Sequence, residues 1–165
     1  MLFPEPSYSG PENVVYFRGV NLDDEIQRDK RIVWVIAFYT VWSPSCVNFA
    51  PTFAKLSSKY FNLNQFFKKE WFNSTLLLRY SLDNLKFGKI DVGRFPDVAA
   101  KYRINDTSFS RQLPTVILFK NGEEFCRRPA VNSKGNIEKF FFTEVSYLST
   151  FLFVLILIND FAFTG

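Results

Sequence analysis

The sequence has no histidine and only two cysteines, Cys46 and Cys126. Without an imidazole, a Ser-His or Cys-His nucleophile is impossible and a His-rich zinc site is excluded. Two thiols are too few for a disulfide scaffold and leave the redox compartment open, although a bridge between them is conceivable from the sequence alone. Basic residues never run together for about five or six positions, which argues against nucleic-acid binding. The net charge of +4 favours anionic surfaces only weakly. The start lacks a basic segment followed by a long apolar stretch, so no signal peptide is expected. On that reading the chain is either cytosolic or lacks an upstream segment.

What is present is a chain of 165 residues, 47% hydrophobic and 22% charged, suited to one globular domain with a real core. Residues 1–20 read as an irregular lead-in, since Pro4, Pro6, Gly10 and Pro11 cannot hold a helix. A helix is expected from Asn21, with Asn21 as its cap, three acids in the first turn and Arg28, Lys30 and Arg31 at its end. Ile32 to Tyr39 is nearly all apolar and rich in β-branched and aromatic side chains, so it reads as a central strand buried on both faces. A turn over Trp42-Ser43-Pro44-Ser45-Cys46 opens a second helix to about Tyr60, its apolar face marked by Phe49, Phe53, Leu56 and Tyr60. Pro51 is expected to kink it. Phe87 to Val92 reads as a strand, and Pro96 to Tyr102 as a short helix with proline in its first turn. Val116 to Phe119 and Glu124 to Arg128 read as a hairpin turned by Asn121-Gly122. The order β-α-β-α-β-β implies an α/β domain: a mixed sheet with helices on its faces.

Several motifs now fall into a known order. Trp42-Ser43-Pro44-Ser45-Cys46, Ala50-Pro51, Lys89-Ile90-Asp91, Leu113-Pro114-Thr115 and Phe119-Lys120-Asn121-Gly122 together resemble the thioredoxin family, from about residue 32 to 123. Gly10-Pro11-Glu12-Asn13, Arg28-Asp29-Lys30-Arg31, Gly93-Arg94 and Arg127-Arg128-Pro129 extend the likeness toward its thioredoxin-related transmembrane branch. The resemblance implies a thioredoxin-like fold, over 21–144 with an insertion at about 61–80.

The family's turn is Trp-Cys-Gly-Pro-Cys. Its first cysteine sits at a helix N-terminus, where backbone amides and the dipole lower its pKa from ~8.5 to ~7, about 2 kcal/mol of thiolate stabilisation. That thiolate attacks a disulfide, and the second cysteine resolves the mixed disulfide. Ser43 stands at the first position here, and no imidazole is available to activate its hydroxyl. Cys46 falls on the resolving position. It can be a lone redox thiol, open to glutathionylation, an intermolecular disulfide or sulfenic acid, or simply a small buried side chain. The family's buried strand aspartate is replaced by Ala37, so a proton-transfer partner for Cys46 is expected to be missing.

By the same resemblance Pro114 matches a cis-proline, Leu113 offers backbone groups to an extended substrate peptide, and Trp42 partly covers that groove. A purely structural role for Trp42 and Pro114 remains open. Cys126 reads as a buried or half-buried free thiol. Asn73-Ser74-Thr75 and Asn105-Asp106-Thr107 fit the glycosylation pattern, meaningful only in a secretory lumen.

Two segments fit less well. Residues 61–80 are apolar without a clean period: an added surface helix, or no part of the working protein. Residues 145–165 begin with an apolar stretch too short for a membrane span of about 20 residues. Val145-Ser146 can be encoded by a common splice-donor sequence, and both segments are read as retained intron.

The expectation is therefore a protein-binding or redox-regulatory thioredoxin-like domain lacking its nucleophilic cysteine, not an active disulfide oxidoreductase. The resemblance adds an endoplasmic-reticulum membrane protein anchored by a segment absent from this chain. Expected partners are proteins or peptides, a Cys46-linked homodimer among them, with no nucleic acid, metal or cofactor. The alternative is a weak single-cysteine oxidoreductase or isomerase using Cys46.

Overall fold

Every residue of the strand Val33–Tyr39 is buried, as its unbroken apolar run requires. It is the centre of the sheet in the computed structural model, which describes residues 10–70 and 84–143. In chain order the elements are β1 (Val15–Tyr16), α1 (Asn21–Arg28), β2 (Val33–Tyr39), α2 (Pro44–Glu70), β3 (Leu85–Asp91), α3 (Pro96–Lys101), β4 (Thr115–Lys120) and β5 (Glu123–Arg128). The sheet order is β1-β3-β2-β4-β5. β1 and β2 lie parallel to β3, whereas β4 runs antiparallel to β2 and β5.

Alternation along β2 divides the core in two. Trp34, Ile36 and Phe38 enter a cluster with Leu22 and Ile26 of α1 and Val98 and Ala99 of α3. Val33, Val35 and Ala37 enter the other, with Phe49, Phe53, Leu56 and Tyr60 of α2. Two-sided cover is what a strand with no polar face demands. Full burial of a side chain such as Ile36 or Phe53 stabilises the domain by about 1.5–3 kcal/mol.

The expected fold class is present: a thioredoxin-like mixed sheet flanked by helices. Several local expectations shift. Asn21 is the first residue of α1 rather than its cap; Val20 holds the cap position without a side-chain hydrogen bond. α2 does not stop near Tyr60 but continues to Glu70, so the first ten residues of the apolar 61–80 stretch prolong an existing helix. Pro51 lies inside that helix. Residues 71–80, Asn73 among them, and 145–165 lie outside the described residues, as do the readings made for them.

The lead-in contributes a strand that its composition conceals. Val15 and Tyr16 pair with Gly88 and Lys89, and the Phe17 amide extends the ladder to the Lys89 carbonyl at 2.8 Å. Phe17 packs so closely over Gly88 that a Cβ there would lie 2.3 Å from its ring, so only glycine fits. The hairpin turn is as expected: Asn121 and Gly122 both have positive φ, 55° and 81°.

Candidate functional site

β2 ends at Tyr39, and the chain turns through Thr40 to Ser43 before Pro44 begins α2. Proline at the first helical position loses no needed N–H, and its fixed φ suits the helix. No acid occupies the first turn, so the positive end of the dipole is left uncompensated at Ser43 to Cys46.

Ser43 is buried, and its hydroxyl faces the Cys46 sulfur. Cys46 is only 1% exposed and belongs to the core on the α1–α3 side. Burial pushes its thiol pKa up from the ordinary value. The Thr40 amide and the Ser43 hydroxyl, directed at the sulfur, oppose this, while the Asp91 carboxylate adds to it; burial wins. Asp91, at the end of β3, also accepts a hydrogen bond from the Gly93 amide at 2.9 Å and lies 3.4 Å from Arg94 Nε.

Leu113 and Pro114 are both buried, and the bond between them is cis. The Thr115 hydroxyl donates to the Gln112 carbonyl, fastening the turn to the start of β4. Leu113 and Pro114 line a groove of about 640 Å³ together with Ser45 and Asn48 of α2, Arg111 and Phe141. Phe141 is 64% exposed there. Ser43, Cys46 and Trp42 do not line it: the first two are buried, and Trp42 is exposed. The structure therefore brings Leu113 and Pro114 to the helix mouth but separates the open groove from the thiol.

Three residues were not foreseen as parts of this site. Lys89, on β3, is buried and forms an ion pair with Glu12 at 2.9 Å. The Tyr16 hydroxyl donates to Glu12, and Lys89 Nζ donates to the Tyr16 hydroxyl at 3.3 Å. Lys89 and Tyr16 line a cavity of about 20 Å³ that also touches Ala37 and Cys46. Ala37 thus faces a small space that a buried lysine and Cys46 share. The sequence signal was the pair of motifs containing Glu12 and Lys89; their joining across 77 positions was not legible.

Cys126 is a half-buried free thiol on β5. It packs with the α2-side core, whereas Cys46 joins the opposite cluster, so the conceivable bridge is not made. Asn105 is exposed, its side-chain oxygen accepting from the Thr107 amide at 3.0 Å. Among the described residues no group of three or more Cys, Asp or Glu is placed to hold a metal.

Comparison with known proteins places this geometry in context. The family model described as thioredoxin matches residues 13–142. The thioredoxin-related transmembrane protein 2 homolog of Drosophila melanogaster is 55% identical over 152 residues, covering 92% of this chain and 49% of that protein. The Caenorhabditis elegans homolog of the same name is 40% identical over 151 residues, with the same coverage. The chain thus spans about half the length of these relatives. The crystal structure of thioredoxin NaTrxh from Nicotiana alata superposes with a TM-score of 0.59 at 20% identity, covering 88% of this chain and 96% of that one, a likeness of fold alone.

Proposed function

The chain belongs to the thioredoxin family, and from that premise we propose that it is a thioredoxin-like domain that binds protein or peptide partners without dithiol exchange. The observation that carries this reading is Ser43: a buried alcohol, hydrogen-bonded to the lone thiol, stands where the exchange would be launched. An unactivated hydroxyl does not open a disulfide, and neither imidazole nor a second thiol is at hand. The groove beside Leu113 and Pro114 suits an extended peptide, which would pair with the backbone at Leu113 and set a side chain against Phe141.

The membrane setting follows the relatives, which are named as transmembrane proteins. Among the described residues no helix is long and apolar enough to cross a membrane. The compartment is assigned to the endoplasmic reticulum, and the role to redox regulation there. Insulin reduction with dithiothreitol, comparing the wild-type chain and Cys46→Ser, tests the reading. Equal background rates are expected; turnover well above background that disappears in the variant would overturn it.

A second reading keeps Cys46 as a single-cysteine oxidoreductase or isomerase. It is favoured by the Thr40 amide and the Ser43 hydroxyl directed at the sulfur, which favour its ionised form. The same assay separates the two.

A further inference from the structure

α3 ends in positive charge. Lys101 is its last residue, Tyr102 caps it, and Arg103 follows with φ 55°, in the left-handed region that glycine usually holds at a helix end. The Arg103 and Ile104 amides donate to the Ala100 and Ala99 carbonyls at 3.1 and 2.8 Å, which closes the helix. An arginine sits here at a conformational cost that glycine would avoid. Lys101 and Arg103 line a groove of about 670 Å³ together with Glu124, Cys126, Arg127 and Arg128 of β5.

The charges of this groove do not balance, since its lining carries four cations and one carboxylate. Glu124 is engaged by Arg127, whose Nε and one Nη donate to its two oxygens. The other Nη of Arg127 donates to the Tyr102 carbonyl at 2.8 Å and ties β5 to the end of α3. Lys101 is paired with Asp23 of α1 at 2.6 Å. Arg128 donates to the Arg127 carbonyl at 2.9 Å, and among the described residues neither Arg128 nor Arg103 has a carboxylate partner. Two guanidinium groups thus stand uncompensated in one groove.

β5 is also the last strand of the sheet, and among the described residues no strand pairs with its outer edge. Such an edge presents backbone donors and acceptors to an extended chain. A small anion satisfies the arginines but makes no use of that edge; a peptide uses both. We propose that this groove binds an acidic peptide segment of a partner protein, which adds to the outer edge of β5 and sets carboxylates against Arg103 and Arg128. Side chains alternate along an added strand, so acids at every second position meet the groove. The site goes beyond the function proposed above. It uses neither Ser43 nor Cys46, and its lining shares no residue with the groove at Leu113 and Pro114.

The test is fluorescence anisotropy of the full chain with a labelled Glu-Val-Glu-Val-Glu-Val peptide, and with its analogue carrying Gln for Glu, at about 0.1 M salt. Saturable binding of the acidic peptide is expected, at least roughly tenfold tighter than that of the neutral one. Arg103→Glu combined with Arg128→Glu should weaken it at least roughly tenfold. Lys30→Glu combined with Lys59→Glu makes the same change of net charge at exposed sites elsewhere and should leave it within about twofold. In the unmutated chain, bound peptide should slow alkylation of Cys126, read by mass, so the proposal stands or falls even if a variant does not fold. Absence of saturable binding, equal binding of the two peptides, equal losses in the two double variants, or an unprotected Cys126 would overturn it. Displacement of the peptide by inorganic phosphate at equal concentration would also overturn it, marking a simple anion site. Insulin turnover is a separate readout, so failure here and failure of the proposed function are distinguishable.

Discussion

The middle of α2 and its mouth are built to different rules. From Phe49 to Tyr60 the helix seals the sheet with aromatic and aliphatic side chains, Phe49 and Phe53 lying 5.4 Å apart and Phe53 and Phe87 5.7 Å apart. At the mouth, Ser43, Thr40 and Asp91 set polar groups around the single sulfur of Cys46, and an open groove runs beside them. The middle keeps the packing of the fold, while the mouth, on the function proposed above, lacks the group that would start dithiol exchange. Packing and reactivity are therefore separable properties of this helix.

The sharpest way to break that contrast is at Phe53, which is fully buried. Phe53→Ala is expected to cost about 3–5 kcal/mol in a urea melt. Ser43→Ala removes one hydroxyl from the mouth and should cost about 1 kcal/mol. Similar losses at the two positions would dissolve the distinction. In activity the order reverses. Ser43→Cys creates a Cys-Pro-Ser-Cys turn, and insulin reduction should rise at least roughly tenfold over wild type. An unchanged rate would mean that the missing sulfur is not what limits the site.

How much of this was legible in the sequence depended on how local the cause was. β2 was readable because burial on both faces leaves no polar residue to interrupt the run. The Asn121-Gly122 turn and Pro96 at the start of α3 were readable because backbone preferences alone specify them. β1 was not, because two half-exposed residues become a strand only through β3, more than seventy positions away. The Glu12–Lys89 pair was hidden for the same reason. The continuation of α2 to Glu70 was hidden because its apolar residues follow no clean period. At the mouth, Ser43, Cys46, Leu113 and Pro114 were found through motif resemblance, but the burial separating Cys46 from the groove required the assembled fold.

Smaller effects sharpen the contrast further. On the face opposite α2, Asp23 accepts hydrogen bonds from Lys101 and Tyr102, both at 2.6 Å. Burial opposes ionisation of its carboxyl, but the two donors prevail and hold it below the usual carboxylate value. Asp23→Asn should cost under about 1 kcal/mol at neutral pH, since solvent screens the pair. A lowered folded-state pKa stabilises above the unfolded value, and this contribution is lost as pH falls through the folded one. The difference between variant and wild type should therefore vanish in acid.

In alkali the sign is opposite, and both parts of α2 take part. Burial raises the pKa of Tyr60 in the middle and of Cys46 at the mouth, as well as that of Cys126 on β5. The folded state keeps protons that the unfolded chain releases, so stability falls as pH rises from the unfolded values through the folded ones. Urea midpoints between about pH 7 and 11 should decline, less steeply in Cys46→Ser. A curve that rises with pH would contradict the burial of these groups.

The central claim is that this chain has no internal dithiol cycle. Equilibration in a series of dithiothreitol buffers, followed by alkylation and mass measurement, tests it most directly. The account predicts that both thiols are alkylated in every buffer, because Cys46 and Cys126 belong to opposite cores and no other cysteine exists. A reversible, monomeric species with both thiols blocked by a bond to each other would contradict it.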